Sequence, residues 1–210
     1  MKKIPTLFER AYENHRIVDI KPNVTPGMEW VLRGEGVATV KIDGACCAII
    51  EGELYKRYDC KKGKKPPQGF IPCCEPDEVT GHWPGWVKCD RDNPDDKWFW
   101  KAYDNCSVYV SMRPLEVQIP PIKGDELYSD LQKLPITFEA YGLHFNGNPY
   151  HLEEDGLIFH GQIRVEVERT FEGIKKYLSE NYIEGIVFWK DGQPQCKIKR
   201  SDFGFEWNKK

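Results

Sequence analysis

The sequence of 210 residues contains no apolar run near the ~18 residues that a membrane-spanning helix requires. Its first residues, MKKIPTLFER, lack the continuous apolar stretch of a signal peptide, so we predict a cytoplasmic protein with no membrane partner. Excess positive charge is also missing, and a formal net charge of -3 gives no sign of a nucleic-acid binder. Internal repeats and low-complexity tracts are absent, which leaves an ordinary globular composition.

Cysteine is abundant, with eight residues, but no C-x-x-C pair is present. Two pairs are adjacent in sequence, Cys46-Cys47 and Cys73-Cys74, and adjacent cysteines suit a disulfide framework poorly. We therefore predict reduced structural thiols. A zinc site is an alternative, since thiolates and imidazoles are the usual zinc ligands. Its candidate ligands, whose spacing contains no compact pair, are Cys60, Cys73, Cys74, His82 and Cys89.

The pattern of apolar residues predicts a chain dominated by short strands. After a strand at 37–40, segments 46–50 and 53–58 form a predicted hairpin, and 186–189 and 195–198 form another around a DGQ turn. Further strands are predicted at 107–112, 116–119, 136–141, 157–159 and 163–167. Segment 171–180 is the clearest helix, with Thr170 as its N-cap. The predicted fold class is α+β with mostly antiparallel sheet, in one domain over 1–210 with an irregular aromatic and basic insertion at about 60–104.

The segment VATVKIDGACC places Lys41 at the end of a predicted strand, followed closely by Asp43 and Gly44. A lysine amine is a nucleophile once it loses its proton, which neighbouring cations or a metal make easier. Glycine permits a tight turn and a close approach of the backbone to a phosphate. The string K-x-D-G is a weak signal by itself, so residues further along the chain decide its meaning.

Further residues with useful chemistry follow Lys41 in a regular order. Arg57 lies 16 residues downstream, on the predicted hairpin partner of the lysine strand. The segments FEAYG, LIFHG, EGIVFWK and CKIKR then contribute, in turn, Glu139, Phe159, Glu184, Lys197 and Lys199. This order and spacing resemble motifs I, Ia, III, IIIa, IV and V of the covalent nucleotidyltransferase superfamily, which includes DNA ligases, RNA ligases and mRNA-capping guanylyltransferases. The resemblance implies the ligase adenylation domain, in which packed antiparallel sheets are flanked by helices.

The resemblance gives each cationic residue a role that agrees with its chemistry. Lys41 is the expected catalytic nucleophile, which becomes charged with AMP. Arg57, Lys197 and Lys199 would supply positive charge around the transferring phosphoryl group. Lys197 and Lys199 alternate on a predicted strand, so both would face the same pocket. Gly44 belongs to the expected nucleotide-binding set because its backbone can approach a phosphate.

The remaining expected nucleotide-binding residues are three carboxylates and an aromatic ring. Glu139 would accept hydrogen bonds from the ribose hydroxyls, and Phe159 would offer an apolar face to the purine. The neighbouring His160 points to the opposite face and is the alternative pocket residue. Glu184 is the natural carboxylate for a hydrated Mg²⁺ ion, and Asp43 would serve the same metal or orient the nucleophile.

Several features favour one branch of the superfamily. Cys46 stands where DNA ligases usually carry the arginine of K-x-D-G-x-R, and eleven residues after Lys199 leave no room for an OB-fold domain. The strings GEGVATVKIDGACC, GHWPGWV and IEGIVFWKDGQPQCKIKR resemble segments of the vertebrate-type single-domain 5′-to-3′ RNA ligases and their bacterial and phage relatives. The resemblance implies an ATP-dependent RNA ligase that uses Mg²⁺ or Mn²⁺ and joins RNA 5′-phosphate and 3′-hydroxyl ends through lysyl-AMP.

Other functions stay open at this point: a DNA ligase, a GTP-using capping guanylyltransferase, or a non-catalytic sensor of nucleotides or RNA ends. Taken singly, Lys41 reads as a surface lysine, Phe159 and Trp189 as core aromatics, and Glu139 and Glu184 as strand-edge carboxylates. Only the ordered set favours catalysis. The oligomeric state leaves no trace in the sequence. The predicted RNA-binding surface is a basic cluster made of Lys61, Lys62, Lys64 and Lys65. Four tryptophans nearby in sequence, Trp83, Trp86, Trp98 and Trp100, could stack on the RNA bases.

Overall fold

The computed structural model describes residues 3–14, 16–112 and 135–207, which divide into two compact units. Unit 1 is Gly44–His160, and unit 2 combines Lys3–Asp43 with the chain from Gly161 onward. The elements in chain order are β1 (Phe8–Glu13), β2 (Arg16–Val24), α1 (Glu29–Leu32), β3 (Val37–Lys41), β4 (Ala45–Ile50), β5 (Glu53–Cys60), β6 (Ile71–Pro72), β7 (Trp83–Lys88), α2 (Lys97–Met112), β8 (Ile136–Tyr141), β9 (Gly156–Phe159), α3 (Phe171–Glu180), β10 (Gly185–Lys190) and β11 (Gln193–Lys199). Short 3-10 turns cover Pro94–Asp96 and Arg200–Phe203.

Unit 2 contains an antiparallel three-stranded sheet in the order β11-β10-β3 and a separate hairpin of β1 with β2. Alternate residues of the sheet, including Ile186, Phe188 and Ile198, are fully buried in an apolar cluster with Ile174 and Leu178 of α3. The opposite side of each strand therefore carries the polar residues, as the two-residue period of a half-buried sheet requires.

Helix α3 begins and ends where its sequence predicts, and the predicted β10–β11 hairpin is present with strands that are one or two residues longer at each end. Thr170 caps α3, since its hydroxyl accepts a hydrogen bond from the N–H of Gly173 at 3.0 Å. Asp191 and Gly192 join β10 to β11 with φ of 52° and 70°. Two consecutive positive φ angles are typical of the tight turns that match the twist of a hairpin.

Unit 1 contains an antiparallel six-stranded sheet in the order β6-β7-β5-β4-β8-β9. Its apolar cluster includes the fully buried Cys47, Leu54 and Ala140, with Phe138 at 4% exposure, against aromatic residues of α2. The described residues thus form an α+β protein with mostly antiparallel sheets, as predicted. Among them, no helix is long and apolar enough to cross a bilayer.

Several predicted elements are wrong. Segment 107–112 is not a strand but the end of α2, because a helix already begun at Lys97 gains one hydrogen bond for each residue it adds. Segment 163–167 is not a strand either: Arg164 forms an isolated bridge to Thr39, flanked by two backbone hydrogen bonds to β3. The predicted strand at 116–119 lies outside the described residues.

The region 60–104 is more regular than predicted, since it contains β6, β7 and the first half of α2. Arg57 is also not on the partner of the lysine strand. Its strand, β5, pairs with β4 and β7, whereas β3, which carries Lys41, pairs with β10. The prediction of a local hairpin for β3 is wrong because its true partner lies far along the chain. The sequence analysis did not predict the β1–β2 hairpin.

Candidate active site

One face of the three-stranded sheet in unit 2 carries the three predicted lysines, Lys41, Lys197 and Lys199. Gly185, at the start of the central strand β10, is paired with Lys41 on one side and Lys199 on the other. Paired residues point to the same face of a sheet, so the two lysines flank a position that has no side chain. A Cβ on Gly185 would lie 2.2 Å from the carbonyl oxygen of Ile198, so only glycine fits there.

Glu184, immediately before Gly185, joins the two lysines through its carboxylate. Its Oε2 lies 2.5 Å from Lys41 Nζ, and its Oε1 lies 2.6 Å from Lys199 Nζ. The Glu184 side chain is only 5% exposed, whereas those of Lys41 and Lys199 are 21% and 33% exposed. The carboxylate is therefore buried beneath two ammonium groups that keep access to solvent.

Lys197 is the third lysine of this face and the one whose protonation the site changes most clearly. Burial, with additional repulsion from Lys41 and Lys199, lowers the pKa of Lys197 to about 8. Glu184 opposes this shift, and Arg10 adds to it. The backbone of Lys197 is fixed on both sides, since its N–H donates to Pro5 and its carbonyl accepts from Leu7.

Side-chain contacts of Asp202 and Trp207, which the sequence did not predict, hold this cluster in place. Asp202 accepts a hydrogen bond from the backbone N–H of Lys199 at 2.8 Å and forms an ion pair with Arg10 at 2.6 Å. Trp207 donates its Nε1–H to Asp43 Oδ2 at 2.9 Å, and its ring lies against Tyr182. An aspartate three residues after Lys199 is a capping signal that the sequence does offer. Arg10 and Trp207 have no such signal.

A second group of predicted residues shares one face of the sheet in unit 1. Cys46 on β4 is paired with Glu139 on β8, and Glu139 is in turn paired with Ile158 on β9. His160, two residues beyond Ile158, is on the same face and lies 2.8 Å from Glu139 through its Nε2. On β5, Lys56 is paired with Cys47, so the next residue, Arg57, lies beside Cys46.

The Cys46 thiol is the titratable group most affected on this face. Burial raises the pKa of Cys46 to about 12, and the nearby negative charge of Glu139 adds to the effect, while Arg57 opposes it. Arg57 itself donates from Nε to Asp59 Oδ1 at 3.1 Å. This face therefore combines a carboxylate, an imidazole, a guanidinium and a half-buried thiol.

Phe159 lies on the opposite face from Glu139. Its ring packs against Phe138 with centroids 4.5 Å apart, as part of the apolar cluster of unit 1. His160, the alternative to Phe159, is the residue beside Glu139. Gly44 has a packing reason to be glycine, since a Cβ there would lie 2.2 Å from the carbonyl oxygen of Ala140.

The structure shows the exposure of the residues predicted to bind RNA. Lys61, Lys62, Lys64 and Lys65 are all exposed in the loop after β5. Trp86, however, is 2% exposed, so its ring cannot stack on RNA. Trp98 is stacked on His144 with centroids 3.3 Å apart, and Trp83 donates to the carbonyl of Cys74. Trp100 lies under the guanidinium of Arg91.

The cysteines described are all free thiols, as predicted. The alternative zinc ligands considered from sequence do not come together in the part of the chain that the structure describes. The group of three metal-ligand side chains found there consists of Cys46, Glu139 and His160.

Comparison with known proteins identifies the family. A sequence model of the family described as RNA ligase 1 matches residues 72–210. The RNA ligase 1 of Danio rerio is 30% identical over 226 residues, which cover 81% of this chain and 68% of the relative. The chain belongs to the RNA ligase 1 family. The RNA ligase 1 proteins of Pongo abelii and Rattus norvegicus are each 27% identical, with the same coverage. The predicted family is thereby confirmed. The segment that the family model matches begins after Lys41 and Arg57, whose roles stay predictions.

Proposed function

We propose that the chain is an ATP-dependent RNA ligase that joins RNA 5′-phosphate and 3′-hydroxyl ends through lysyl-AMP on Lys41. The observation that supports this most is the shared carboxylate of Glu184, which contacts Lys41 at 2.5 Å and Lys199 at 2.6 Å. One carboxylate balances the charge of only one lysine. Three lysines from β3 and β11 around one buried carboxylate leave excess positive charge, which favours an anionic ligand.

In the proposed first step, the Nζ of Lys41 forms a bond to the α-phosphorus of ATP. The bond from that phosphorus to the oxygen bridging to the β-phosphate breaks, and pyrophosphate leaves with the electron pair. Before the attack, the ammonium of Lys41 passes one proton to Glu184, the carboxylate that contacts Nζ, and from there to solvent. A second proton leaves the nitrogen for solvent as the bond to phosphorus forms, which gives the N–H of lysyl-AMP. Lys197 and Lys199 stabilise the negative charge that develops on the phosphoryl oxygens.

In the second step, an oxygen of the RNA 5′-phosphate attacks the phosphorus of the adenylate, and the bond between that phosphorus and Lys41 breaks. The leaving nitrogen of Lys41 takes up two protons from solvent, and the ammonium forms its ion pair with Glu184 again. In the third step, the RNA 3′-hydroxyl attacks the 5′-phosphorus, loses its proton to solvent, and releases AMP. Phosphoryl transfer of this kind depends on alignment and positive charge more than on an acid–base pair.

A divalent metal belongs to this proposal as an expectation. Mg²⁺ or Mn²⁺, when bound, would neutralise phosphate charge, and the oxygen donors that unit 2 offers for it are Glu184 and Asp43. The donor chemistry fits, because each carboxylate oxygen of Glu184 contacts one ammonium and can accept a further partner. Trp207 holds Asp43 by the indole hydrogen bond and so fixes the orientation of that carboxylate.

The finer assignments in unit 1 are also proposals. Arg57, Glu139 and Gly44 are expected to contact the nucleotide, with His160 a better candidate than Phe159 because it lies beside Glu139. The ligase adenylation fold is likewise an expectation from the motifs. RNA would be held through its phosphates by the exposed loop lysines Lys61, Lys62, Lys64 and Lys65. Base stacking is not expected to contribute, because the nearby tryptophans are engaged in packing.

The test is the intact mass of the protein after incubation with a divalent metal and either ATP or GTP. We expect a gain of one AMP with ATP that is lost in Lys41→Ala and kept in Lys190→Ala, a matched lysine on β10 that pairs with Glu35 at 2.8 Å. Sealing of a nicked RNA, with a matched DNA nick as control, then tests the substrate. Labelling by GTP would favour a guanylyltransferase, and no labelling by either nucleotide would favour a non-catalytic sensor.

A further inference from the structure

Cys46, Glu139 and His160 bring three different kinds of metal ligand to one spot in unit 1. The thiol sulfur, a carboxylate oxygen and an imidazole nitrogen all lie within 4.8 Å of one another. The strand register explains the convergence, since Cys46 is paired directly with Glu139, and His160 follows β9, the strand paired with β8. These residues are far apart in sequence, so no ligand spacing reveals them.

Hydrogen bonding accounts for only part of this arrangement. The contact of 2.8 Å between His160 Nε2 and Glu139 Oε2 is an ordinary hydrogen bond. It leaves His160 Nδ1 buried and without a hydrogen-bond partner among the described residues. It also gives no reason for a thiol to lie against the same carboxylate.

We propose that Cys46, Glu139 and His160 form a binding site for Zn²⁺. Sulfur, nitrogen and oxygen ligands together match the preference of zinc, whereas Mg²⁺ prefers oxygen ligands alone. Zinc bonds of about 2.0–2.3 Å in tetrahedral geometry place ligand atoms roughly 3.3–3.8 Å apart. Starting from separations of at most 4.8 Å, the side chains need to move by about 1 Å or less to close around the ion.

Three protein ligands leave the fourth zinc position open, which is the pattern of an exchangeable rather than a closed structural site. Arg57, close to Cys46, disfavours a cation, but its guanidinium donates to Asp59. We therefore expect reversible binding that is weaker than in a closed site with four ligands.

Occupancy has a consequence for catalysis that rests on the proposed function. Glu139 is the carboxylate expected to bind the nucleotide, and zinc would occupy one of its oxygens and fix its orientation, which competes with hydrogen bonds from the ribose hydroxyls. Zinc should therefore inhibit the charging of Lys41, and the inhibition should weaken as the ATP concentration rises.

The site itself is tested first, without nucleotide, by titrating the full chain with Zn²⁺ against a chromogenic chelator and with Co²⁺ as a spectroscopic probe. We expect one Zn²⁺ per chain and a thiolate-to-cobalt charge-transfer band. Cys46→Ser should remove the band. Loss of a residue that only orients a metal ligand weakens binding about 10- to 100-fold, so loss of the ligand Cys46 itself should weaken zinc binding by at least as much. Cys74→Ser is the matched control, since Cys74 is a half-buried thiol of the same unit that lies outside the group of Cys46, Glu139 and His160, and it should leave both signals unchanged.

The absence of zinc binding in the wild-type chain, or equal binding by Cys46→Ser, would overturn the site. His160→Gln provides a second ligand variant if Cys46→Ser fails to fold, and it should lose zinc affinity to a similar extent. Charging with ATP is measured separately: zinc binding without any charging would refute the ligase function and leave the metal site standing. Charging that zinc inhibits equally in wild type and Cys46→Ser would refute the link between the site and Glu139.

Discussion

Replacing Glu184 with glutamine removes the negative charge on which Lys41 and Lys199 converge and keeps the size of the side chain. Breaking a buried ion pair on one side typically costs about 3–5 kcal/mol, because the remaining charge is left uncompensated. The Lys41 and Lys199 side chains are 21% and 33% exposed, so water screens part of this cost. We expect Glu184→Gln to lower the free energy of unfolding by about 2 kcal/mol.

The assay is thermal unfolding of the full chain, in which a loss of about 2 kcal/mol corresponds to a melting point lower by roughly 4–8 °C. Glu35→Gln is the matched control, because Glu35 also contacts two cations, Arg33 and Lys190, but is 40% exposed. Its melting point should hardly change.

The physical reason can be separated from a general packing defect by removing a cation as well. If the cost of Glu184→Gln comes from uncompensated ammonium groups, the double variant with Lys199→Met should recover on the order of 1 kcal/mol. Equal melting points for Glu184→Gln and Glu35→Gln, or a double variant less stable than Glu184→Gln alone, would refute the reasoning.

Three further predictions rest on individual side chains. The pKa of Lys197 is lowered from 10.5 to about 8, mainly by burial, so the unfolded chain binds more protons between these values and stability should rise with pH there. Denaturant melts across this window should show that Lys197→Met removes the rise and Lys190→Met does not. Trp207→Phe keeps an aromatic ring but loses the hydrogen bond to Asp43, so adenylation of Lys41 at limiting metal concentration should slow. Trp189→Phe, which loses a hydrogen bond to Thr39, is the control and should leave the dependence of adenylation on metal concentration unchanged. Neutralising the four exposed loop lysines, Lys61, Lys62, Lys64 and Lys65, should weaken binding to nicked RNA. It should also reduce the salt slope of binding by about 0.9 for each phosphate of the duplex that is no longer neutralised, and an unchanged slope would exclude that loop from the RNA surface.

Local sequence signals predicted the elements whose determinants are themselves local. Helix α3 was predictable because Thr170 caps it and Ile174 and Leu178 lie one turn apart on its buried face. The β10–β11 hairpin was predictable because Asp191 and Gly192 accept positive φ. Helix α2 was missed, although Asn93, which caps the short turn before it, followed by proline, is a recognisable helix-start signal.

Pairings between distant segments were harder to predict. The ordered motifs correctly brought Lys41, Glu184 and Lys199 together, but they gave β3 a nearby partner instead of β10. Strand register over long sequence separations depends on packing that a single sequence does not display. The same limit applies to Arg10 and Trp207, whose contacts with the cluster come from the first and last stretches of the described chain.

The discontinuity of unit 2 has a consequence for a chain still on the ribosome. Strand β3, which carries Lys41, is synthesised before the whole of unit 1, and its partner β10 emerges only afterwards. A nascent chain that has not reached residue 184 possesses the amine of Lys41 but neither the carboxylate beneath it nor the cations of β11. If Lys41 is the nucleophile, the order of translation would itself keep incomplete chains from being adenylated.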